Sequence, residues 1–161
     1  MSVMGTLLHF LFDWMGRGIV VGMFSAVNES IWEHMKLLYW PMLMFALVEY
    51  ALWGKEQPGF WHVKLLGTLA GLLLIPVLFY TYTGVFGVMI DWLNIAIFFV
   101  TAVFVFWMET KLLESKRTWP DCRLSFWGLC LIGAAFWVLT FWPASIPLFQ
   151  DPVTGTYGYQ S

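Results

Sequence analysis

The chain has 161 residues, of which 60% are hydrophobic, 20% aromatic and only 11% charged, and its mean hydropathy is +0.75. A soluble domain carries roughly a quarter charged residues, so this composition excludes one and points to an integral membrane protein. A net charge of −2 gives no reason to expect a nucleic-acid partner.

Taken in chain order, hydropathy predicts about five spans, at 1–15, 30–53, 63–84, 88–110 and 124–142. The first is short and apolar, with no basic segment before it and no small-residue cleavage signal, so it reads as retained rather than as a signal peptide. It carries His9 and Asp13, four apart on one helix face. The second span opens on "NESIWEHMK", residues 28–36. Asn28 suits a helix N-cap, and Glu29 in the first turn suits the helix dipole. Glu33 and Lys36 then lie about 7–8 Å and about 12 Å below that cap.

At 100° per residue, Glu29, Glu33, Lys36 and Trp40 form one stripe, with Ser30, His34 and Pro41 beside it. Ile31, Met35, Leu38 and Met42 occupy the opposite face, towards lipid or a neighbouring helix. Pro41 and Pro76 sit inside spans and free backbone carbonyls there. The third span ends on "YTYTG", with Tyr80, and the fourth begins with Asp91 and Asn94. Glu49, near Lys55, and Glu109, near Lys111 and Lys116, read as interfacial ion partners. Cys122 and Cys130 form neither a metal-type C-x-x-C nor a disulfide framework.

Residues 143–161 read as an irregular tail rich in Pro and Gly, within a single transmembrane domain covering 1–161. The tail either folds back as a lid carrying Asp151, Thr154 and Tyr157, or is a loose terminus. Basic residues fall in the second–third connection (Lys55, Lys64) and the fourth–fifth connection (Lys111, Lys116, Arg117, Arg123), with Arg17 in the first–second connection as the single exception to the alternation. The positive-inside rule then expects the N-terminus in the cytoplasm of a multi-pass protein in the cell membrane, and the C-terminus outside.

With that orientation the unusual polar residues gather towards the outer leaflet. An ionisable group at that depth is costly unless paired or hydrated, so a polar intramembrane pocket is expected. Its candidate ligand-binding residues are Asn28, Glu29, Glu33, His34, Lys36, Tyr80, Asp91, Asn94, Asp151 and Tyr157. It would bind a cation or small polar ligand, with transport by a homodimer in the lipid bilayer as one role open to it. The alternatives are a membrane-embedded metal-dependent hydrolase or transferase acting on a lipid-like substrate, and a structural partner subunit. In the enzyme reading Glu33 or Asp91 is the general base. His9, Asp13, Glu33, His34 and Asp91 supply ligand types for a divalent metal, at spacings that are not diagnostic.

The segments "GTLLHF", "NESIWEHMKLLYWPM", "FYTYTG" and "TGTYG" together resemble an uncharacterised family of small bacterial multi-spanning membrane proteins with an N-E-S-x-W-E-H motif. The resemblance runs over nearly the whole chain, and implies the same helical membrane fold and no particular reaction.

Overall fold

The computed structural model describes residues 2–115 and 123–159, and the side chains within them except those of Ser2, Val3, Thr6, His9, Phe10, Asp13 and Asp91. Among the described residues six α-helices follow one another: α1 (Ser2–Trp14), the single turn α2 (Ile19–Gly22), α3 (Ile31–Leu52), α4 (Phe60–Phe86), α5 (Asp91–Glu114) and α6 (Arg123–Phe141). Among the described residues there is no strand beyond one isolated bridge between Gln150 and Tyr157.

α3, α4, α6 and all but the first residue of α5 are long and apolar enough to cross a bilayer. Their limits match the four later expected spans to within a few residues. The 13 residues of α1 rise about 20 Å, short of a ~30 Å hydrocarbon core. Leu69, Leu73, Val77, Ile95, Val100, Val103, Leu131 and Val138 are exposed, which gives the bundle an apolar outer belt suited to lipid.

α3 is the central helix and packs against α1, α4, α5 and α6. Ile31, Met35, Leu38 and Met42, assigned from the sequence to lipid or a neighbour, are all buried and so meet neighbours. Both faces of the upper half of α3 are therefore covered, as suits a helix that carries apolar residues all round its axis. Tyr39 reaches α6, where its hydroxyl donates to the Leu129 carbonyl at 2.6 Å. Trp40 stacks on Trp137 at 5.4 Å.

Small residues set the closest approaches. A Cβ on Gly67 of α4 would collide with the Glu109 side chain, and one on Gly71 would lie 2.9 Å from Leu38 and 3.0 Å from Val105. This Gly-x-x-x-Gly pair lets α5 lie directly on α4, the packing by which membrane helices gain dispersion contacts without a hydrophobic driving force. Pro41 removes the donor that would have reached the Leu37 carbonyl. Gly5 of α1 lies against that carbonyl, so close that a Cβ would be 3.2 Å from its oxygen.

Candidate functional site

The start of α3 differs in detail from the sequence expectation. Ser30, not Asn28, is the N-cap: its hydroxyl accepts from the Glu33 amide at 3.4 Å. Asn28 stands two residues earlier, where its Oδ1 accepts from the Ser30 amide at 3.0 Å and its Nδ2 donates to the Gly158 carbonyl at 3.1 Å. A short polar side chain can cap a helix or tie down the preceding turn, and the serine takes the first role here.

From that cap the polar cluster divides. Glu33 and Lys36 face α6, where they form an ion pair at 2.5 Å with side-chain exposures of only 1% and 0%. Glu33 Oε1 also accepts from the Thr140 hydroxyl at 2.8 Å, and Oε2 from the Val27 amide at 3.1 Å. The Lys36 ammonium donates to the Gly22 carbonyl at 2.8 Å and to Thr140 Oγ1 at 3.1 Å. With Glu33, that gives each of its three protons an acceptor. The knot therefore joins α3 to α6 and to the α2–α3 connection, with both charges fully compensated.

The tail closes over this knot. The Tyr159 amide donates to the Thr140 carbonyl at 2.9 Å, and its hydroxyl to the Arg17 carbonyl at 2.8 Å. Trp32 donates its amide to the Leu148 carbonyl at 3.1 Å. Asp151 is buried and accepts from the amides of Val153 at 2.8 Å and Thr154 at 3.2 Å, so its carboxylate organises the tail's own turn. Tyr157 sits in the bridge to Gln150. The tail is thus a folded strap, and Asp151 and Tyr157 belong to it.

His34 and Glu29 face away from the knot, towards α4 and α5. They line a cleft with Asn94, Ile31, Ile75, Phe79, Ile97 and Phe98, whose volume of about 20 Å³ is close to that of a single water site. His34 Nδ1 donates to the Ser30 carbonyl at 2.9 Å, and Nε2 lies 3.6 Å from Glu29 Oε2. Tyr82, rather than the exposed Tyr80, reaches this end of α5, donating to Asn94 Oδ1 at 2.5 Å. The side chains of His9, Asp13 and Asp91 lie outside the described residues. Among the described residues no three His, Cys, Asp or Glu side chains gather as a metal-binding group.

A second charged centre lies at the opposite end of the bundle, where α3 ends and α4 begins. Lys64 holds Glu49 of α3 at 2.5 Å and Glu109 of α5 at 2.6 Å, with side-chain exposures of 7% for Lys64, 20% for Glu49 and 5% for Glu109. Nearness along the chain had favoured Lys55 as the partner of Glu49, and Lys111 and Lys116 as those of Glu109. Both carboxylates turn inward to Lys64, where Gly67 leaves room for Glu109 to lie across α4; Lys116 lies outside the described residues. Two carboxylates share one ammonium, and Glu109 Oε1 is buried without a hydrogen-bond donor among the described residues.

These groups line a cavity of about 350 Å³, together with Trp53, Gln57, Phe106, Thr110, Leu113 and Glu114. That volume is in the range of small-ligand sites, and more than tenfold that of the His34 cleft. Between the two openings the α3–α4–α5 seam is closed by packed residues, with Leu38, Thr101 and Val105 each 0% exposed around Gly71. The signal for this centre was present in the sequence as three ionisable residues at matched depth within span ends: Glu49, Lys64 and Glu109.

No curated protein and no solved structure matches the chain. Its sequence does match one family model over residues 1–159, and the chain therefore belongs to DUF6512, a family of unknown function.

Proposed function

We propose that this multi-pass membrane protein captures a cation or cationic ligand in the cavity formed by Glu49, Lys64 and Glu109. The observation that carries the proposal is the unequal charge of a buried centre: two carboxylates from different helices face one ammonium, which donates a hydrogen bond to Glu109 Oε2, while Glu49 Oε2 has only the ion pair to it and Glu109 Oε1 has no donor among the described residues. Buried charge without full compensation is expensive and is retained where it serves binding or transfer. The Glu33–Lys36 knot, in contrast, is compensated throughout and acts as a structural tie.

Access from one end, with the packed Leu38–Val105 layer beyond, suits a carrier or receptor seen in a one-sided state. In the orientation expected from the basic residues, that open end is cytoplasmic. Carriage across the membrane would require the packed layer to part, and a homodimer would supply a larger scaffold for that movement. A second reading keeps the His34 cleft as a site for one small ion, favoured by the meeting of Glu29, His34 and Asn94 there.

The test is a thermal-unfolding titration in detergent with chloride salts of inorganic and organic cations at matched ionic strength. A ligand at a hundred times its Kd stabilises the folded state by about 2.7 kcal/mol. Stabilisation by at least one cation, lost in Glu49→Gln and Glu109→Gln but kept in His34→Ala, is expected. Loss in His34→Ala alone would move the site to the cleft, and no response to any cation would refute the proposal.

A further inference from the structure

The cavity also carries information on the kind of cation it takes. Lys64 is itself an alkylammonium in place: two carboxylates hold its Nζ at 2.5 and 2.6 Å, and the Phe60 ring centroid lies 5.5 Å away. Aromatic side chains stand on the cavity wall as well, where Trp53 and Phe106 line it with Glu49 and Glu109. Aromatic faces attract cations through their quadrupole, and do so most strongly for poorly hydrated ones.

A metal ion is served less well by the same wall. Calcium takes six to eight oxygen ligands and magnesium a near-ideal octahedron. Here the Thr110 hydroxyl donates to the Phe106 carbonyl at 2.8 Å, and Glu114 is paired with Lys111 at 3.1 Å. Glu49 and Glu109 are shared with an ammonium already. What the wall offers an organic cation, beyond negative charge, is aromatic surface, which does nothing for a hydrated metal ion.

On the reading that this cavity is a cation site, we infer that it takes an organic ammonium head group, for which Lys64 is the built-in competitor. An incoming ammonium ion-pairs with Glu109 and Glu49 while its carbon substituents lie against Trp53 and Phe106. Lys64 sets the affinity, because its own ammonium occupies the same carboxylates and must yield part of that contact. The exchange is non-covalent and transfers no atoms.

The experiment measures the affinity of the purified full-length protein for tetramethylammonium, n-butylammonium, sodium and magnesium chlorides, by calorimetric titration at matched ionic strength. Both ammonium salts are expected to bind and the two inorganic cations to bind at least tenfold more weakly. Trp53→Leu and Phe106→Leu should each weaken ammonium binding about three- to tenfold, the scale of one partly exposed cation–π contact. Lys64→Gln should tighten it, and Glu109→Gln should abolish it. Trp53 lies at the cavity rim and is 39% exposed, so its variant keeps the test intact should Glu109→Gln fail to fold. Sodium or magnesium binding as tightly as the ammoniums would overturn the ligand class and leave the cation site standing. Ammonium binding that ignores both aromatic variants, or is unchanged or weakened by Lys64→Gln, would overturn the inference as well. Binding of no cation at all would remove the site itself.

Discussion

Replacing Lys36 by Met tests whether the first charged group is a structural tie. The methionine side chain fills much of the same space, so the main loss is the ammonium and its three bonds, to Glu33, Gly22 and Thr140. Glu33, 1% exposed, would keep only the Thr140 hydroxyl and the Val27 amide around a full negative charge. Breaking a buried pair from one side costs about 3–5 kcal/mol, because the remaining charge is stranded. Removing both charges, in Glu33→Gln with Lys36→Met, strands no charge, and the glutamine oxygen still accepts from Thr140 or Val27. The double variant should therefore lie within about 2 kcal/mol of wild type, so the two single losses together exceed the double loss by about 4 kcal/mol or more. Reversible unfolding in mixed micelles, followed by tryptophan fluorescence from the 11 Trp residues, reads all four proteins. A single variant within about 1 kcal/mol of wild type, or a double variant no more stable than Lys36→Met, would refute the argument from stranded charge.

The close approach of α4 and α5 predicts that Gly67→Ala costs about 1–3 kcal/mol and weakens cation binding, since its methyl must displace Glu109. Gly84→Ala, with nothing within 4 Å of the added carbon, should be neutral or slightly stabilising, and thermal unfolding compares the two. Thr140→Val should cost about 1–3 kcal/mol by depriving Glu33 of a donor and Lys36 of an acceptor at once, measured in the same micelles. The expected orientation predicts that a thiol introduced by Gln57→Cys is labelled from the cytoplasm and one introduced by Thr156→Cys from outside. The reverse pattern would invert the topology.

The spans were legible because hydropathy integrates over some twenty residues, and a bilayer tolerates few alternatives to helices. The shared side of Glu33 and Lys36 was legible too, since three residues along a helix place both within reach of each other. Helical phase alone did not show which neighbour each stripe would meet. Glu29 and Glu33 share a stripe only if both are helical; with Ser30 as the N-cap Glu29 precedes the helix, and it lies with His34 towards α4 and α5 while Glu33 meets α6. Separating them required knowing that Thr140 and the tail lie on one side of α3, which is long-range information. The Lys64 centre was missed for a similar reason. Glu49 and Glu109 each had a basic residue close in sequence, and the local pairing was the simpler account. What moved both carboxylates inward is the Gly67 approach, a contact between helices that no local pattern reports.

The central claim, that Glu109 receives a cation, is tested most directly by infrared difference spectroscopy of the protein with and without tetramethylammonium chloride. The account predicts a shift of the antisymmetric carboxylate band on adding the salt, absent in Glu109→Gln and retained in Glu33→Gln. A band change that survives Glu109→Gln, or one that disappears in Glu33→Gln, would contradict it.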